Sequence, residues 1–324
     1  MNPLSILIVR LGAMGDVIHA LPAASTLKRS FPSARLTWII DPKWAPLLAG
    51  NPYVDRVLLL DRRSWRSVRE TWTALRSSRF DIALDLQGLV KSALIARISG
   101  APQRVGFERS EAREPLAALL YTRKVSPRSA HFTDRCIEVA QAAVGSTGVS
   151  REFPMPAGVP EGDLPRGPFI LASPLAGWTA KQWPDEYYEE LAAGLRDDGY
   201  TLVLNGAAGA RAMLERIRGV HVHVSGIEGL IDATRRATAV VGVDSGPLHL
   251  AAALGKPGVA IFGPTDPARN GPYCATMTVL RSPAARTTYK RLNEIDSSMR
   301  AVRPSMVLEA LRIRLEFHTV RTHA

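Results

Sequence analysis

The sequence has few cysteines and no long apolar run, and both absences narrow the class of protein. Cys136 and Cys274 are the only cysteines among 324 residues, and neither stands in a metal-binding or redox spacing. We therefore expect two reduced thiols and no disulfide scaffold. The longest apolar runs are too short for a bilayer-spanning helix, so we predict no transmembrane segment.

A secretory signal is also missing. Met1, Asn2 and Pro3 lead directly into the apolar run at residues 6–9. No basic segment precedes that run, and no small-residue cleavage site follows it. We therefore predict a cytoplasmic protein.

Acidic residues are fewer than basic ones. The chain has 41 Lys and Arg against 30 Asp and Glu, a formal net charge of +11. Such an excess favours an anionic partner, which could be nucleic acid, an acidic membrane face or a phosphorylated substrate. No zinc-finger or RNP-type motif is present, and the arginines do not gather on one basic helix. We expect no nucleic acid partner; a basic surface without any partner is the alternative.

Short apolar segments alternate with helix-length segments along the whole chain, as is typical of parallel sheets with right-handed crossovers. Strands are predicted at 5–10, 35–40, 54–60, 81–86, 104–107, 169–172, 200–204, 220–224, 239–243 and 259–262. Helices are predicted at 16–29, 131–143, 184–196, 210–218, 229–236 and 304–317, with an apolar helix after residue 246.

A change of composition divides this pattern into two halves. Residues 145–168 are rich in Gly and Pro and have no periodic apolar face, which indicates a linker. A chain of this length commonly forms two cores. We predict an α/β fold of two doubly wound Rossmann-like domains facing a central cleft. The N-terminal domain covers 1–155, the linker 156–168, the C-terminal domain 169–302, and a final helix over 303–324 packs back on the N-terminal domain.

The stretch at residues 243–267 places polar residues where a parallel sheet binds ligands. A predicted strand ends at Val243, and Asp244, Ser245 and Gly246 follow it directly, with His249 one helical turn further on. Ligands of open α/β sheets bind at the carboxyl ends of the strands, and the free N–H groups at a helix start favour anions. The pattern predicts a phosphate and sugar site.

A second glycine-containing turn follows the first strand. Gly12 and Gly15 precede Asp16, but their spacing differs from the dinucleotide motif and no P-loop lysine follows. We therefore do not expect a nicotinamide cofactor. Asp16 stands at the start of the predicted helix, where it is either a helix cap or a functional carboxylate facing the cleft.

Four motifs together resemble glycosyltransferase family 9, the bacterial heptosyltransferases. They are GAMGDV at 12–17, DLQGLVKS at 85–92, AREPLA at 112–117 and VDSGPLHL at 243–250, and the resemblance runs from about residue 6 to the final helix. It implies a GT-B fold and an inverting transfer of heptose from ADP-heptose to the Kdo region of a lipid A precursor. It also implies no metal, no cofactor, and a peripheral position on the anionic inner face of the inner membrane.

The resemblance also implies roles for single residues. Asp16 matches the catalytic base, which takes the proton of the acceptor hydroxyl. On the donor side, Lys181 matches the diphosphate-binding lysine and Asp244 the acid that contacts the sugar, with Thr179, Ser245, Gly246 and His249 beside them. The predicted acceptor-binding residues are Arg62, Arg63, Gln87, Lys91 and Arg113. Arg66 and Arg69 are interpreted as coating a surface helix against anionic lipid heads.

Two departures from the family pattern leave the donor open. Residues 205–211 contain no carboxylate that could hold ribose or heptose hydroxyls, and Ala176 and Gly177 stand where a Thr-Thr pair is expected. Three alternatives therefore remain. They are a family 9 enzyme with another sugar or acceptor, a GT-B nucleotide-sugar epimerase, for which we identify no further acid and base groups, and a non-catalytic sugar-nucleotide or lipid-binding protein.

Overall fold

The computed structural model describes residues 3–288, 290 and 292–322, with side chains described as far as residue 316. Internal contacts divide the chain into two units that meet in sequence between Pro156 and Ala157. This boundary lies one residue beyond the predicted end of the N-terminal domain. The predicted domain ends at residues 1–2 and 323–324 lie outside the described residues.

The first unit contains a six-stranded parallel sheet. Its strands are β1 (Ser5–Val9), β2 (Arg35–Ile40), β3 (Arg56–Leu59), β4 (Ile82–Asp85), β5 (Gln103–Phe107) and β6 (Arg123–Val125). They lie in the order β3-β2-β1-β4-β5-β6, with Ile6 paired to Leu36 on one side and to Ile82 on the other. The order therefore reverses between β1 and β4.

Helices cover both faces of this sheet. They are α1 (Met14–Ser30), α2 (Trp65–Ser77), α3 (Val90–Ile98) and α4 (Phe132–Val144), with 3₁₀ helices at Pro42–Leu48 and Pro115–Leu120. Helices α1 and α4 pack against each other, whereas α2 and α3 bury Leu75 and Ile95 against the sheet in one apolar cluster. Residues 6–9 of β1 are completely buried, as expected of a central strand covered on both faces.

The second unit repeats the plan. Its strands are β7 (Phe169–Ser173), β8 (Thr201–Gly206), β9 (His221–Val224), β10 (Ala239–Val243), β11 (Gly258–Phe262) and β12 (Met277–Arg281), in the order β12-β11-β10-β7-β8-β9. All five strand pairs are parallel. The reversal point of this sheet lies between β7 and β10, so both units have the same doubly wound topology.

Some helices of the second unit have only four residues. The helices of this unit are α5 (Asp185–Asp197), α6 (Arg211–Leu214), α7 (Ile227–Arg236), α8 (Gly246–Ala253), α9 (Pro267–Asn270), α10 (Ser297–Arg300) and α11 (Pro304–Thr322), with 3₁₀ helices at Thr179–Lys181 and Ala208–Ala210. Among the described residues, no helix is both long enough and apolar enough to cross a membrane.

Several predictions about single elements need correction. Strands β6 and β12 were not predicted, because β6 has only three residues, two of them basic, and β12 mixes Thr278 and Arg281 into a five-residue segment. The helix predicted at 210–218 is only one turn of 3₁₀ helix followed by one turn of α-helix. Helix α1 begins at Met14 instead of Asp16.

The main described contacts of the final helix lie within the second unit, and its packing on the N-terminal domain stays a prediction. Helix α11 packs against α5, β11 and β12 of the second unit. Val307 and Leu311 are completely buried there, and both belong to the core cluster of that unit. The apolar side of the helix is thus covered by neighbours within its own unit.

Candidate active-site residues

Asp16 lies in the first turn of α1, just beyond the carboxyl end of β1 and therefore beside the reversal point of the first sheet. Three donors converge on its Oδ2 atom. Arg10 Nη2 lies 2.8 Å away, Arg113 Nη1 3.2 Å away and the backbone nitrogen of Ala13 3.2 Å away. The Asp16 side chain is still 29% exposed. Asp16 therefore caps its helix as the third residue of α1 and presents a paired carboxylate to solvent; its functional role stays a prediction.

Arg10 is a functional candidate that the sequence analysis missed, because it was counted within an apolar strand. Its side chain is completely buried, and Nη1 donates to the carbonyl oxygen of Leu86. The guanidinium carbon lies 5.2 Å from the centre of the Phe132 ring. A buried charge needs a partner of opposite sign, and Asp16 provides it. An arginine that ends an otherwise apolar strand is the signal that could have indicated this pair.

The loop after β4 is held from inside the unit. Gln87 is almost fully buried, and its Oε1 accepts a hydrogen bond of 3.0 Å from the backbone nitrogen of Leu11. Asp85 Oδ1 accepts from the backbone nitrogens of Gln87 and Gly88, and Tyr121 donates its hydroxyl to Asp85 Oδ2 at 2.6 Å. Burial raises the pKa of Asp85, although these hydrogen bonds oppose the shift. Gln87 thus joins the loops after β1 and β4.

Three of the predicted acceptor residues form a group of cations. Partial burial, then the charge of Arg62, and more weakly that of Arg113, lower the pKa of Lys91, while Glu114 opposes them. Within this cation group, the member with a described contact to the Asp16 carboxylate is Arg113. The described contacts do not include Arg63 in the group; its backbone nitrogen donates to Asp61 Oδ1.

In the second unit, Lys181, Asp244 and His249 lie together at the reversal point of the sheet. Lys181 Nζ lies 2.9 Å from Asp244 Oδ2, and His249 Nε2 lies 3.4 Å from Asp244 Oδ1. The Asp244 side chain is only 8% exposed. Burial alone would raise its pKa, but the hydrogen bond from His249 and the charge of Lys181 outweigh burial and lower the pKa to about 2. Asp244 is therefore a fixed negative charge at neutral pH.

The loop after β7 positions the lysine. Lys181 ends the 3₁₀ helix that Thr179 begins, and the Thr179 carbonyl oxygen accepts a hydrogen bond from the Gln182 nitrogen at 2.9 Å. Lys181 Nζ also lies 4.9 Å from the centre of the Trp178 ring, a distance at which a cation is attracted to the ring face. The ammonium group is thus held between a carboxylate and an aromatic ring.

Two buried hydroxyls lie at the ends of neighbouring strands in this unit. Ser245 occupies the N-cap position of α8 after β10 without a side-chain capping hydrogen bond, and Thr265 follows β11. In the described part of the chain, neither Ser245 Oγ nor Thr265 Oγ1 has a hydrogen-bond partner, although buried polar groups normally have one. Gly246 and Leu248 are in the first turn of α8, where backbone N–H groups have no intrahelical acceptor. These donors suit a bound anion or sugar. Thr265 was not predicted, although it lies within the stretch at 243–267.

The end of β8 carries an amide at the start of residues 205–211, the stretch that lacks a carboxylate. Asn205 is buried, and its Nδ2 lies 2.9 Å from both His223 Nδ1 and Ser225 Oγ. The His223 ring in turn contacts the carbonyl oxygen of Glu161. Asn205 therefore serves contacts within the unit. Among the described residues, no three His, Cys, Asp or Glu side chains are grouped so that they could hold a metal ion.

Comparison with known proteins identifies the family of the chain. The model of glycosyltransferase family 9 (heptosyltransferase) matches residues 68–298. The chain belongs to glycosyltransferase family 9. It is 32% identical to lipopolysaccharide heptosyltransferase 1 of Pseudomonas aeruginosa in an alignment of 295 positions that covers 83% of this chain and 81% of that protein.

Solved structures of family 9 agree in fold. Escherichia coli heptosyltransferase WaaC with ADP superposes with a TM-score of 0.78 at 27% identity, covering 96% of this chain and all of that one. The same enzyme with ADP-2-deoxy-2-fluoro heptose gives 0.74 at 27% identity, covering 94% of this chain and 98% of that one. The predicted GT-B class of fold and the resemblance to family 9 are therefore confirmed, and the chain is a glycosyltransferase.

Proposed function

We propose that this family 9 enzyme transfers heptose from ADP-heptose to a Kdo residue of the lipopolysaccharide inner core, with inversion and without a metal ion. Its relative from P. aeruginosa is a lipopolysaccharide heptosyltransferase, and one similar solved structure is that of E. coli WaaC with ADP-2-deoxy-2-fluoro heptose. The observation that carries the proposal is the partly exposed Asp16 carboxylate, which is paired with the buried Arg10 and with the predicted acceptor residue Arg113.

Asp16 acts as the general base in this proposal. It takes the proton of the acceptor hydroxyl while the hydroxyl oxygen bonds to the anomeric carbon and the bond from that carbon to the diphosphate oxygen breaks on the opposite face. ADP leaves with the electron pair of the broken bond, so the configuration inverts. Arg10 and Arg113 keep the carboxylate ionised before it accepts the proton, because nearby cations favour the charged form.

The second unit binds the donor in this proposal. Lys181 and the N–H groups at the start of α8 stabilise the charge that develops on the departing diphosphate. These protein groups thus take the role that a divalent metal ion has in other transferases. Asp244 and His249 accept and donate hydrogen bonds to sugar hydroxyls, and the buried hydroxyls of Ser245 and Thr265 gain partners when the donor binds. The cation group of the first unit pairs with the carboxylates and phosphates of the acceptor.

A two-substrate assay tests the proposal. The enzyme is incubated with ADP-heptose, with and without a Kdo-bearing lipid A acceptor, and ADP release is measured in the presence of a chelator. We expect release only with the acceptor and at a rate that the chelator does not change. Release with another ADP-sugar but not with ADP-heptose indicates a different donor. Isomerised nucleotide sugar without acceptor indicates an epimerase, and donor binding without turnover indicates a binding protein.

The proposal includes peripheral association with an anionic membrane surface, since a lipid-linked acceptor lies in a bilayer. It rests on the net charge of +11 and on the exposed arginines of α2, among them Arg66 and Arg69. Basic clusters of this kind are attracted to anionic lipids.

A further inference from the structure

Exposed apolar side chains concentrate in one part of the first unit. Of the sixteen large hydrophobic residues that are exposed in the described chain, seven lie between residues 65 and 119. They are Trp65, Val68, Trp72, Val90, Leu94, Leu116 and Leu119. Exposed apolar side chains that gather in one region mark a contact surface, whereas single scattered ones do not.

These seven residues belong to elements on one side of the sheet. Helices α2 and α3 and the 3₁₀ helix at Pro115–Leu120 connect successive parallel strands from β3 to β6, and right-handed crossovers place such connections on the same face. Helix α3 also packs against both other elements. We call the solvent-exposed side of these three elements the α2–α3 face.

Helix α2 contributes two tryptophans and two arginines to this face. At about 100° per residue, Trp65, Arg69, Trp72 and Arg76 fall within about 60° of one another. The buried Thr71 and Leu75 point in a direction about 110° away from them. Trp65 is 76% exposed and Trp72 is 51% exposed. Tryptophan is enriched at the level of lipid headgroups, because one part of its ring system is apolar and the other is polar.

The neighbouring elements continue the same mixture. Val90 and Leu94 are one turn apart on α3, and Leu116 and Leu119 are one turn apart on the 3₁₀ helix, so each pair points in one direction. Leu119 is 69% exposed and Leu116 is 61% exposed. Arg97, also exposed, lies within about 60° of Val90 and Leu94 on α3.

The charge of the α2–α3 face is positive. Helix α2 carries Arg66, Arg69 and Arg76 against one acid, Glu70, which is paired with Arg66 at 2.8 Å. A groove of about 730 Å³ runs along the helix and is lined by Trp65, Arg66, Arg69 and Arg56 of β3 among others. Arginines beside an exposed tryptophan suit a phosphate headgroup, since guanidinium binds phosphate with two parallel hydrogen bonds.

We infer that the α2–α3 face is a bilayer-docking surface, on which Trp65, Trp72, Leu116 and Leu119 enter the interfacial region and Arg69, Arg76 and Arg97 bind anionic lipid headgroups. This inference rests on the proposed function in one respect: the enzyme must bind at the bilayer to reach a lipid-linked acceptor. Apolar side chains combined with cations on one surface are what interfacial binding requires.

Vesicle partitioning of the full chain tests the surface. We expect binding to vesicles of phosphatidylcholine mixed with phosphatidylglycerol, and about tenfold or more weaker binding to phosphatidylcholine alone. The variants Trp65→Ser/Trp72→Ser and Arg69→Glu/Arg76→Glu each lose about tenfold in the partition coefficient on the anionic vesicles. The control Met213→Ser/Arg216→Glu changes one exposed apolar residue and one exposed arginine of the second unit and keeps wild-type binding.

Brominated lipids locate the contact. Tryptophan fluorescence of the wild type is quenched by anionic vesicles that carry brominated acyl chains, and most of that quenching disappears in Trp65→Phe/Trp72→Phe. The inference is overturned by equal quenching in this variant, by binding that none of the face variants weakens, or by no binding to anionic vesicles. A concentration-dependent dimer that Trp65→Ser/Trp72→Ser abolishes, without vesicle binding, would instead assign the face to a second copy of the chain.

Activity assays separate this inference from the proposed reaction. With a deacylated, water-soluble Kdo acceptor, the face variants transfer heptose at the wild-type rate, whereas with acceptor in anionic vesicles their rate falls in step with partitioning. Absence of transfer by the wild type with both acceptors contradicts the proposed reaction and leaves the vesicle result to decide the docking surface. All variants replace exposed side chains, so unchanged thermal unfolding is the check on folding.

Discussion

The two units place an acid beside a cation at the reversal point of the same kind of sheet, yet the two acids are built differently. Asp16 receives three donors on Oδ2 and keeps 29% of its side chain exposed. Asp244 has Lys181 on one carboxylate oxygen and His249 on the other, with 8% exposed. An acid that must accept a proton from a substrate has to be reachable, whereas an acid that holds a fixed charge is better shielded. In the proposed reaction, this difference suits Asp16 to proton transfer and Asp244 to ligand binding.

Replacement of Asp16 should have the largest effect. Asp16→Asn removes the base, and we expect kcat to fall by about 10²- to 10⁴-fold with unchanged affinity for ADP-heptose. Steady-state transfer and calorimetric donor titration measure the two quantities. Asp134→Asn is the matched control, because Asp134 is also the third residue of a helix, α4, and also pairs with an arginine, Arg151. Wild-type turnover of Asp16→Asn would remove the contrast between the two acids.

Replacement of Lys181, in the second unit, should lower kcat/KM and weaken donor binding. Lys181→Met removes the charge that stabilises the diphosphate, so we expect kcat/KM to fall by about 10²- to 10³-fold, with weaker donor binding. The buried Asp244 loses its cation as well, which lowers stability. Lys181→Met/Asp244→Asn should regain stability without regaining activity. The control is Lys256→Met. Lys256 lies just before β11, and its Nζ donates to the carbonyl oxygen of Arg235. A similar loss of transfer in this variant would argue against a specific role for Lys181.

Replacement of Arg10 tests the comparison of the two acids further, because the ion pair with this buried arginine distinguishes Asp16 from an ordinary surface acid. We expect Arg10→Met to lower kcat by roughly 10- to 100-fold and to move the acid limb of the pH–rate profile to higher pH, because a carboxylate that loses a nearby cation protonates more readily. Arg10→Lys keeps the charge and should keep the limb near its wild-type position. An identical pH profile for Arg10→Met would show that Arg10 acts only through packing.

The smallest effect is on stability and concerns Asp244. Its pKa in the folded chain is about 2, below the ordinary value of 3.8, so the ionised form stabilises the folded state by about 2 kcal/mol. This contribution is complete above about pH 4 and is lost as the pH falls toward 2. Asp244→Asn should therefore be less stable than the wild type at pH 6, with a difference that shrinks below pH 4. Calorimetric unfolding across this range measures it.

A surface pair provides the reference for that experiment. Asp198 is ion-paired with Arg312 at 2.7 Å on the outside of the second unit, and exposed pairs contribute little. Asp198→Asn should thus change the acid unfolding profile much less than Asp244→Asn. Equal profiles for the two variants would mean that the buried charge of Asp244 does not stabilise the unit.

Much of the fold followed from the sequence because its signals are local. Strands β1 and β10 are short apolar runs that end at polar turns, and both were predicted within one residue of their bounds. Strands β6 and β12 carry no such run, since both lie at sheet edges and are partly exposed. The final helix showed its length in sequence, but the partner of its apolar side is a long-range property.

The sequence by itself determined the family, the two doubly wound units and the positions of Asp16, Lys181 and Asp244, because glycine turns, strand ends and motif spacing are contiguous in the chain. Only the tertiary structure decided that Arg10 is buried against Asp16, that Lys91 lies near Arg62 and Arg113, and that Ser245 and Thr265 bury hydroxyls at adjacent strand ends. These relations depend on how the sheet places side chains, whether the residues are six positions apart, like Arg10 and Asp16, or 29 apart, like Arg62 and Lys91. Charge pairing and burial depend on which strand ends the sheet brings together, and no local pattern encodes that choice.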